Sequence, residues 1–253
     1  MSAGHAHQLF VPGVSRVHRL PAQCKLVALV GFVLVVVATP PGRFWAFGVY
    51  ALLLVALVAV ARLRPLLVLR RMLVEVPFVV FALALPFVAQ GPRTELLGLT
   101  VSAPGLLAAW GILAKGTLGV AASVVLAATT QQRDLLLGLQ RLRVPGLLVQ
   151  IMTFMFRYAE IVTGEMHRMR VARESRGFVA RDVRQLPVVA RSAGALFIRA
   201  YERGERVHLA MLSRGYTGHL PITGTAAAPG QWAAAAALPA AAVAVALAAW
   251  VTA

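Results

Sequence analysis

The chain has 253 residues, of which 59% are hydrophobic, and a formal charge of +16; its mean hydropathy is +0.77. Soluble domains are about 45–50% apolar, so this composition, with its long uncharged runs, excludes an ordinary soluble domain and puts the chain in a lipid bilayer. The single cysteine, Cys24, excludes a disulfide within the chain and any Cys-based metal site.

The first two dozen residues are polar and carry Pro12 and Pro21. A secretory signal would place its apolar stretch sooner. His5 and His7 form a His-x-His pair, but two imidazoles do not complete a metal site, and this segment reads as a tail. Apolar runs then follow at Leu26–Thr39, Phe44–Ala61, Met72–Ala89, Pro104–Ala128 and Trp232–Val251. The first is short and recruits Leu20–Cys24. About 18 apolar residues suffice to cross the hydrocarbon core. The breaks carry turn residues: Thr39-Pro40-Pro41-Gly42, Arg62-Leu63-Arg64-Pro65 and Gly91-Pro92. Trp232 and Trp250 bracket the last run about 27 Å apart on a helix, the spacing of two interfacial anchors. The expected fold class is therefore all-α, a polytopic membrane protein of about five transmembrane helices. Residues 1–130 form a four-span bundle, 131–220 a cytoplasmic region and 221–253 a C-terminal transmembrane helix.

Twenty-two of the twenty-five Lys and Arg fall in the N-terminal segment, the second loop and the long segment before the last span. The other two loops hold Arg43 and Arg93 alone, and Lys115 lies inside the fourth run. This asymmetry puts the N-terminus and the long segment in the cytoplasm and the C-terminus outside. It also accounts for the charge without nucleic acid, for which no binding motif is present.

Within the long segment, Val144–Phe156 is too short for a comfortable span and reads as an interfacial or protein-packed helix. Met152, Phe154, Met155, Phe156, Met166 and Met169 are side chains that suit either core filling or a surface that repacks. A helix near Thr163–Gly177 follows, dense in charge from Glu165 to Arg176. A second spans roughly Pro187–Arg214, with Pro187 suited to its first turn. Val189, Ala193, Leu196, Phe197, Ala200, Tyr201, Val207 (or His208) and Met211 give it one apolar stripe. Arg191, Arg199, Arg203 and Arg206 fall largely off that stripe. Both helices close alike, as Ala172-Arg173-Glu174-Ser175-Arg176-Gly177-Phe178 and Ala210-Met211-Leu212-Ser213-Arg214-Gly215-Tyr216. A glycine stop and a last-turn arginine explain one such ending. Five matched positions, repeated 38 residues on, point to two copies of one socket on a partner.

Two cytoplasmic helices tipped by X-Arg-X, between a four-span bundle and a last span, resemble the T component of energy-coupling factor transporters. The start Val17-His18-Arg19-Leu20-Pro21-Ala22-Gln23-Cys24-Lys25-Leu26 and the stretch Glu75-Val76-Pro77-Phe78 are similar to its CbiQ-type cobalt branch. The resemblance implies a subunit that neither binds substrate nor hydrolyses ATP. Its implied partners are two ATP-binding cassette ATPase subunits and a substrate-capture membrane subunit. Ser175, Arg176, Gly177, Ser213, Arg214 and Gly215 would dock in grooves of the ATPases, where a planar guanidinium can grip carboxylates or carbonyls.

Glu75 and Lys115 are the ionisable residues within spans and form a candidate intramembrane pair. They support the alternative of a self-sufficient secondary transporter or channel, beside a structural or snorkelling role for the lysine. Ala114-Lys115-Gly116-Thr117 lacks the glycine that a phosphate loop needs before its lysine. Asp134 and Asp182 have no catalytic Ser or His nearby. No active site, resident metal or cofactor is expected.

Overall fold

The computed structural model describes residues 9–89, 92–96, 99–178, 182, 185–218 and 226–252; His5 and His7 lie outside them. In chain order the elements are α1 (Arg16–Arg19), α2 (Ala22–Ala38), α3 (Phe44–Val60), α4 (Pro65–Met72), a 3-10 turn (Leu73–Glu75) and α5 (Val76–Val88). A two-stranded ribbon, β1 (Arg93–Leu96) and β2 (Leu99–Ser102), leads to α6 (Ala103–Thr129), α7 (Gln132–Arg141), α8 (Gly146–Glu174), α9 (Leu186–Leu212) and α10 (Pro229–Val251). Residues Met1–Gly138 and Gly224–Ala253 form one unit, and Leu139–Thr223 a second.

The helical expectation holds with one addition and three changes. The antiparallel ribbon pairs Arg93 with Ser102 and Leu96 with Leu99, so the described residues are not purely helical. The third apolar run, Met72–Ala89, is not one helix. The α4 helix gives way to a 3-10 turn, and α5 starts afresh with Pro77 in its first turn, where a missing N–H costs nothing. The two stretches expected as separate helices, 144–156 and 163–177, are joined: residues 146–156 and 163–174 lie in the single 29-residue α8. No proline or glycine falls between Leu147 and Thr163, and charge at Arg157 and Glu160 does not break a helix. The fourth difference, α7, is a short amphipathic helix beyond α6. By length and composition α6, α8 and α10 can each cross a membrane. The 17-residue α2 and α3 rise about 26 Å each, the short end of the spanning range.

In the first unit, small residues let backbones meet. Ala235, Ala242 and Ala249 recur every seven positions along α10 and are buried. Gly31 of α2 faces Pro239, whose Cβ would stand 3.3 Å from an added methyl. Close approach of this kind replaces the hydrophobic drive that is absent between helices in lipid. The core where α2, α3, α6 and α10 converge contains Phe32, Phe47, Tyr50, Leu54, Leu118 and Ala122. The Tyr50 hydroxyl lies 2.9 Å from Thr39 Oγ1 and 3.4 Å from the Ala242 carbonyl oxygen, so the buried phenol is satisfied. Outward-facing Leu34, Leu52, Val55, Phe81 and Leu247 remain exposed, as lipid-facing positions should.

The chain's two lysines close the ends of each other's helices. Lys25, at the start of α2, donates from Nζ to the Thr129 carbonyl at 2.8 Å and to Thr130 Oγ1 at 3.1 Å, at the end of α6. Lys115, within α6, donates to the Val37 carbonyl at 2.7 Å, in the last turn of α2. The last carbonyls of a helix have no partner within it, and an ammonium there also meets the negative end of the dipole. The N-terminal segment closes the same α6 end: Val11 N–H donates to the Ala128 carbonyl at 2.9 Å, and Arg71 Nη1 holds the Leu9 carbonyl at 2.6 Å.

Two predictions follow from this packing, both read by thermal unfolding in detergent. Lys25→Met should destabilise the first unit by about 1–3 kcal/mol, the usual cost of stranding buried polar partners, and a melting temperature equal to the parent's would refute the cap. Gly138→Ala would place a methyl 2.9 Å from the Gln23 backbone nitrogen, and Gly105→Ala one 2.8 Å from Ala89 Cβ and 3.0 Å from Pro86 Cα. Each should cost about 1–3 kcal/mol as overpacking, whereas Gly119→Ala, which meets nothing within 4 Å, should be silent.

Candidate functional site

The two Ser-Arg-Gly endings adopt the same backbone. At the end of α8, Gly177 N–H donates to the Glu174 carbonyl at 3.0 Å and Phe178 N–H to the Arg173 carbonyl at 3.1 Å. At the end of α9, Gly215 N–H donates to Leu212 at 3.0 Å and Tyr216 N–H to Met211 at 3.0 Å. This 6→1 and 5→2 pair is the Schellman stop. It requires a left-handed residue, and Gly177 and Gly215 have φ of +76° and +80°. Each serine turns back on its own helix: Ser175 Oγ donates to the Ala172 carbonyl at 3.1 Å, and Ser213 Oγ to Ala210 at 3.0 Å. The aromatic residue is half-buried in both copies, and the arginine is exposed in both.

The stop alone does not explain the repeated sequence. The α3 and α7 helices end on the same hydrogen bonds, Leu63 to Val58 with Arg62 to Ala59, and Val144 to Leu139 with Arg143 to Gln140. Their left-handed positions are Arg62 (φ 55°) and Arg143 (φ 60°), with no Ser-Arg-Gly. Glycine, serine and aromatic in the two tips shape the turn, while Arg176 and Arg214 have no hydrogen-bond or ion-pair partner among the described residues. A guanidinium with five free donors at a rigid helix end is suited to bidentate recognition of a partner.

Within the second unit, α8 and α9 touch along a narrow line. Arg203 Nη2 donates to Glu165 Oε1 at 2.6 Å. Farther along, the Tyr216 hydroxyl donates to Gln150 Oε1 at 2.6 Å. The expected stripe of α9 is only partly covered: Val189, Leu196, Val207 and Met211 are half-buried, whereas Ala193, Phe197, Ala200 and Tyr201 are exposed, as is Ile198 beside them. A cleft of about 560 Å³ opens between the helices beside Phe154, Met155, Tyr158 and Arg203. Met155, Phe156 and Met166 are also exposed, so these side chains do not serve as core filling here. Neither the Glu165–Arg203 contact nor the Tyr216–Gln150 contact is marked in the sequence beyond the presence of the residues.

Glu75 and Lys115 do not form the expected ion pair. Glu75 is buried, with Oε1 accepting from Thr117 Oγ1 at 2.9 Å, while the Lys115 ammonium is taken by the Val37 carbonyl. An added Cβ on Gly116 would stand 3.1 Å from the same Glu75 oxygen, so the glycine makes room for the carboxylate. The cause is simple: a helix end offers the lysine a carbonyl, and a hydroxyl one position beyond Gly116 serves the acid. No cluster of three His, Cys, Asp or Glu gathers among the described residues.

The profile of the family described as CbiQ, cobalt transport protein, matches residues 13–223. An uncharacterized protein of Methanocaldococcus jannaschii is 32% identical over 117 residues, covering 46% of this chain and 44% of that one. The cobalt transport protein CbiQ of Rhodobacter capsulatus is 28% identical over 151 residues, covering 58% of this chain and 62% of its own length. A putative fused cobalt transport protein, CbiMQ, of Methanocorpusculum labreanum is 28% identical over 111 residues, 44% of this chain and 18% of its own. The chain thus spans between 18% and 62% of the length of these relatives.

The tip geometry yields a prediction about the turns themselves. Gly177→Ala or Gly215→Ala forces an L side chain into a left-handed conformation, at a cost of about 1–2 kcal/mol. Hydrogen exchange at the following aromatic amide should quicken in each, and unchanged protection would show that the turn does not need glycine.

Proposed function

The chain belongs to the CbiQ family of cobalt transport proteins, and on that premise we propose that it is the membrane-embedded coupling subunit of an ATP-driven energy-coupling factor transporter for cobalt. The observation that carries this reading is the pair of helix ends, matched bond for bond, each offering one exposed and unpartnered arginine. Two ends matched in backbone and in Ser-Arg-Gly fit two copies of one groove, as two ATP-binding cassette subunits would present. Ser175, Arg176 and Gly177 would fill one groove, and Ser213, Arg214 and Gly215 the other. A helix of 27 or 29 residues is about 40 Å long, so a push at its tip becomes a displacement elsewhere in the membrane region. As the ATPases close on ATP and reopen, α8 and α9 would act as levers on a substrate-capture membrane subunit. The exposed Phe197, Ile198 and Tyr201 support an apolar partner of that kind. A relative whose name joins CbiM and CbiQ in one chain supports a working association with a second transport component.

In this reading the long segment and the N-terminus face the cytoplasm, and Co²⁺ is cargo held by the capture subunit. The chain supplies neither ATP hydrolysis nor a metal site of its own. A self-sufficient transporter using Glu75 and Lys115 loses its main support, since each residue is occupied with a different structural neighbour.

The test is on the arginines. Arg176→Ala and Arg214→Ala should each weaken attachment of the ATPases. Removing one partner of a buried charge-assisted contact costs about 2–5 kcal/mol, or roughly tens- to thousands-fold in affinity. Part of that loss is masked while the other tip stays docked. The double variant should abolish Co²⁺ uptake, and Lys at either position should rescue only in part. Co-purification of the ATPases and uptake in membranes holding the complete complex are the readouts. Full assembly and uptake by the double variant at normal membrane levels would reduce the motif to a helix stop.

A further inference from the structure

We propose that α8 and α9 are related by a pseudo-two-fold axis through the Glu165–Arg203 ion pair, and that this pair is the pivot fixing how far apart the two arginine tips stand. The Ser-Arg-Gly tips are offset by 38 residues, and so are Glu165 and Arg203. The ion pair therefore joins a residue to its own counterpart in the second copy. When one helix is generated from another by a two-fold rotation, a residue meets its own counterpart only on the axis.

The second contact shares this register. Tyr216 is the counterpart of Phe178, so its hydrogen bond to Gln150 joins position 150 of one copy to position 178 of the other. The midpoint of 150 and 178 is 164, one residue from Glu165. Two contacts at separate places along the helices thus agree on one antiparallel arrangement with one centre.

The chemistry of the pair fits an axial position. A residue facing its own counterpart cannot carry the same charge in both copies without repulsion. The repeat preserves arginine at Arg168 and Arg206, off the axis, yet places opposite charges at 165 and 203. Among the described residues this is the one ion pair between helices; Arg170–Glu174 and Arg206–Glu202 each lie within one helix. It is also the best shielded, with the Glu165 side chain 15% exposed. Tyr158, Ile161, Val162 and Ala200 line the cleft with it, and such apolar neighbours strengthen attraction between the charges.

The consequence is geometric. Arg176 and Arg214 each lie 11 positions beyond the axial residue of their helix, about 16 Å along it. On antiparallel helices they point to opposite ends, on the order of 30 Å apart. A partner that takes both must offer two equivalent grooves about a two-fold axis of its own. The positioning role of Glu165 and Arg203 rests on the coupling function proposed above, but the pivot can be tested without the partner.

The experiment uses the full chain with Cys24→Ser, Ala172→Cys and Ala210→Cys, spin-labelled at the two exposed counterpart positions and reconstituted in nanodiscs. Pulsed electron spin resonance should give one narrow distance distribution. Glu165→Arg alone, or Arg203→Glu alone, should broaden it and shift it outward. The double swap of Glu165→Arg with Arg203→Glu should bring the narrow distribution back, because an axial position accepts the charges in either order. Single reversals that leave the distribution unchanged, or a double swap that stays broad, would overturn the pivot. Co²⁺ uptake by the same variants in the complete complex should fall with each single reversal and recover with the swap. Distances that respond while uptake does not would leave the pivot standing and sink the coupling reading instead.

Discussion

Helix ends are costly in a bilayer, because the last carbonyls of each helix face a medium with no donors. The first unit depends on how α2 and α6 meet that demand. These helices run antiparallel, so the start of α2 lies beside the close of α6 and the close of α2 beside the middle of α6. Lys25 and Lys115 use this arrangement reciprocally, each donating to the other helix's final turn. The chain spends its only lysines here and uses arginine for every other cation. A compact ammonium with three rotatable donors can follow carbonyls that point along a helix axis, whereas a planar fork suits a flat carboxylate. The N-terminal segment is drawn into the same end through Val11 and Arg71, which connects α1, α4 and α6 in one layer with Val17, Leu63, Val68 and Val125.

The second unit is built on different terms. Its helices bury little: α9 has no buried residue. What orders α8 and α9 is local closure at their ends and a few polar contacts between them. Elements with few buried contacts open more readily than a core, which suits a pair of helices whose work would be to move. Their tips are nevertheless rigid, since the Schellman turn and the serine back-bond fix the residues on either side of each arginine.

Much of this was legible in the sequence. Pro187 does stand in the first turn of α9, the Ala-rich last run is a long helix, and the repeated Ser-Arg-Gly marks two equivalent helix ends. What escaped reading has physical causes. The continuity of α8 is hidden because the apolar stretch stops at Arg157, though charge interrupts apolarity and not helicity. The partner of Lys115 was missed because a backbone carbonyl leaves no trace in the residue alphabet. Thr117, which serves Glu75, sits only two positions from the lysine, inside a stretch that resembles a phosphate loop without its glycine. The ribbon at 93–102 has β-branched Thr94, Thr100 and Val101, but it is too short to stand out beside runs of eighteen.

Tyr216 and Phe178 differ by one oxygen atom. That atom fastens the α9 end to Gln150, near the opposite end of α8, while Phe178 has no group with which to make the matching bond. The two ends are alike in shape and unlike in attachment. Under the coupling function proposed above, a symmetric motor driving such a pair would push on one end tied to its neighbour helix and one end without that tie, and its stroke would be asymmetric.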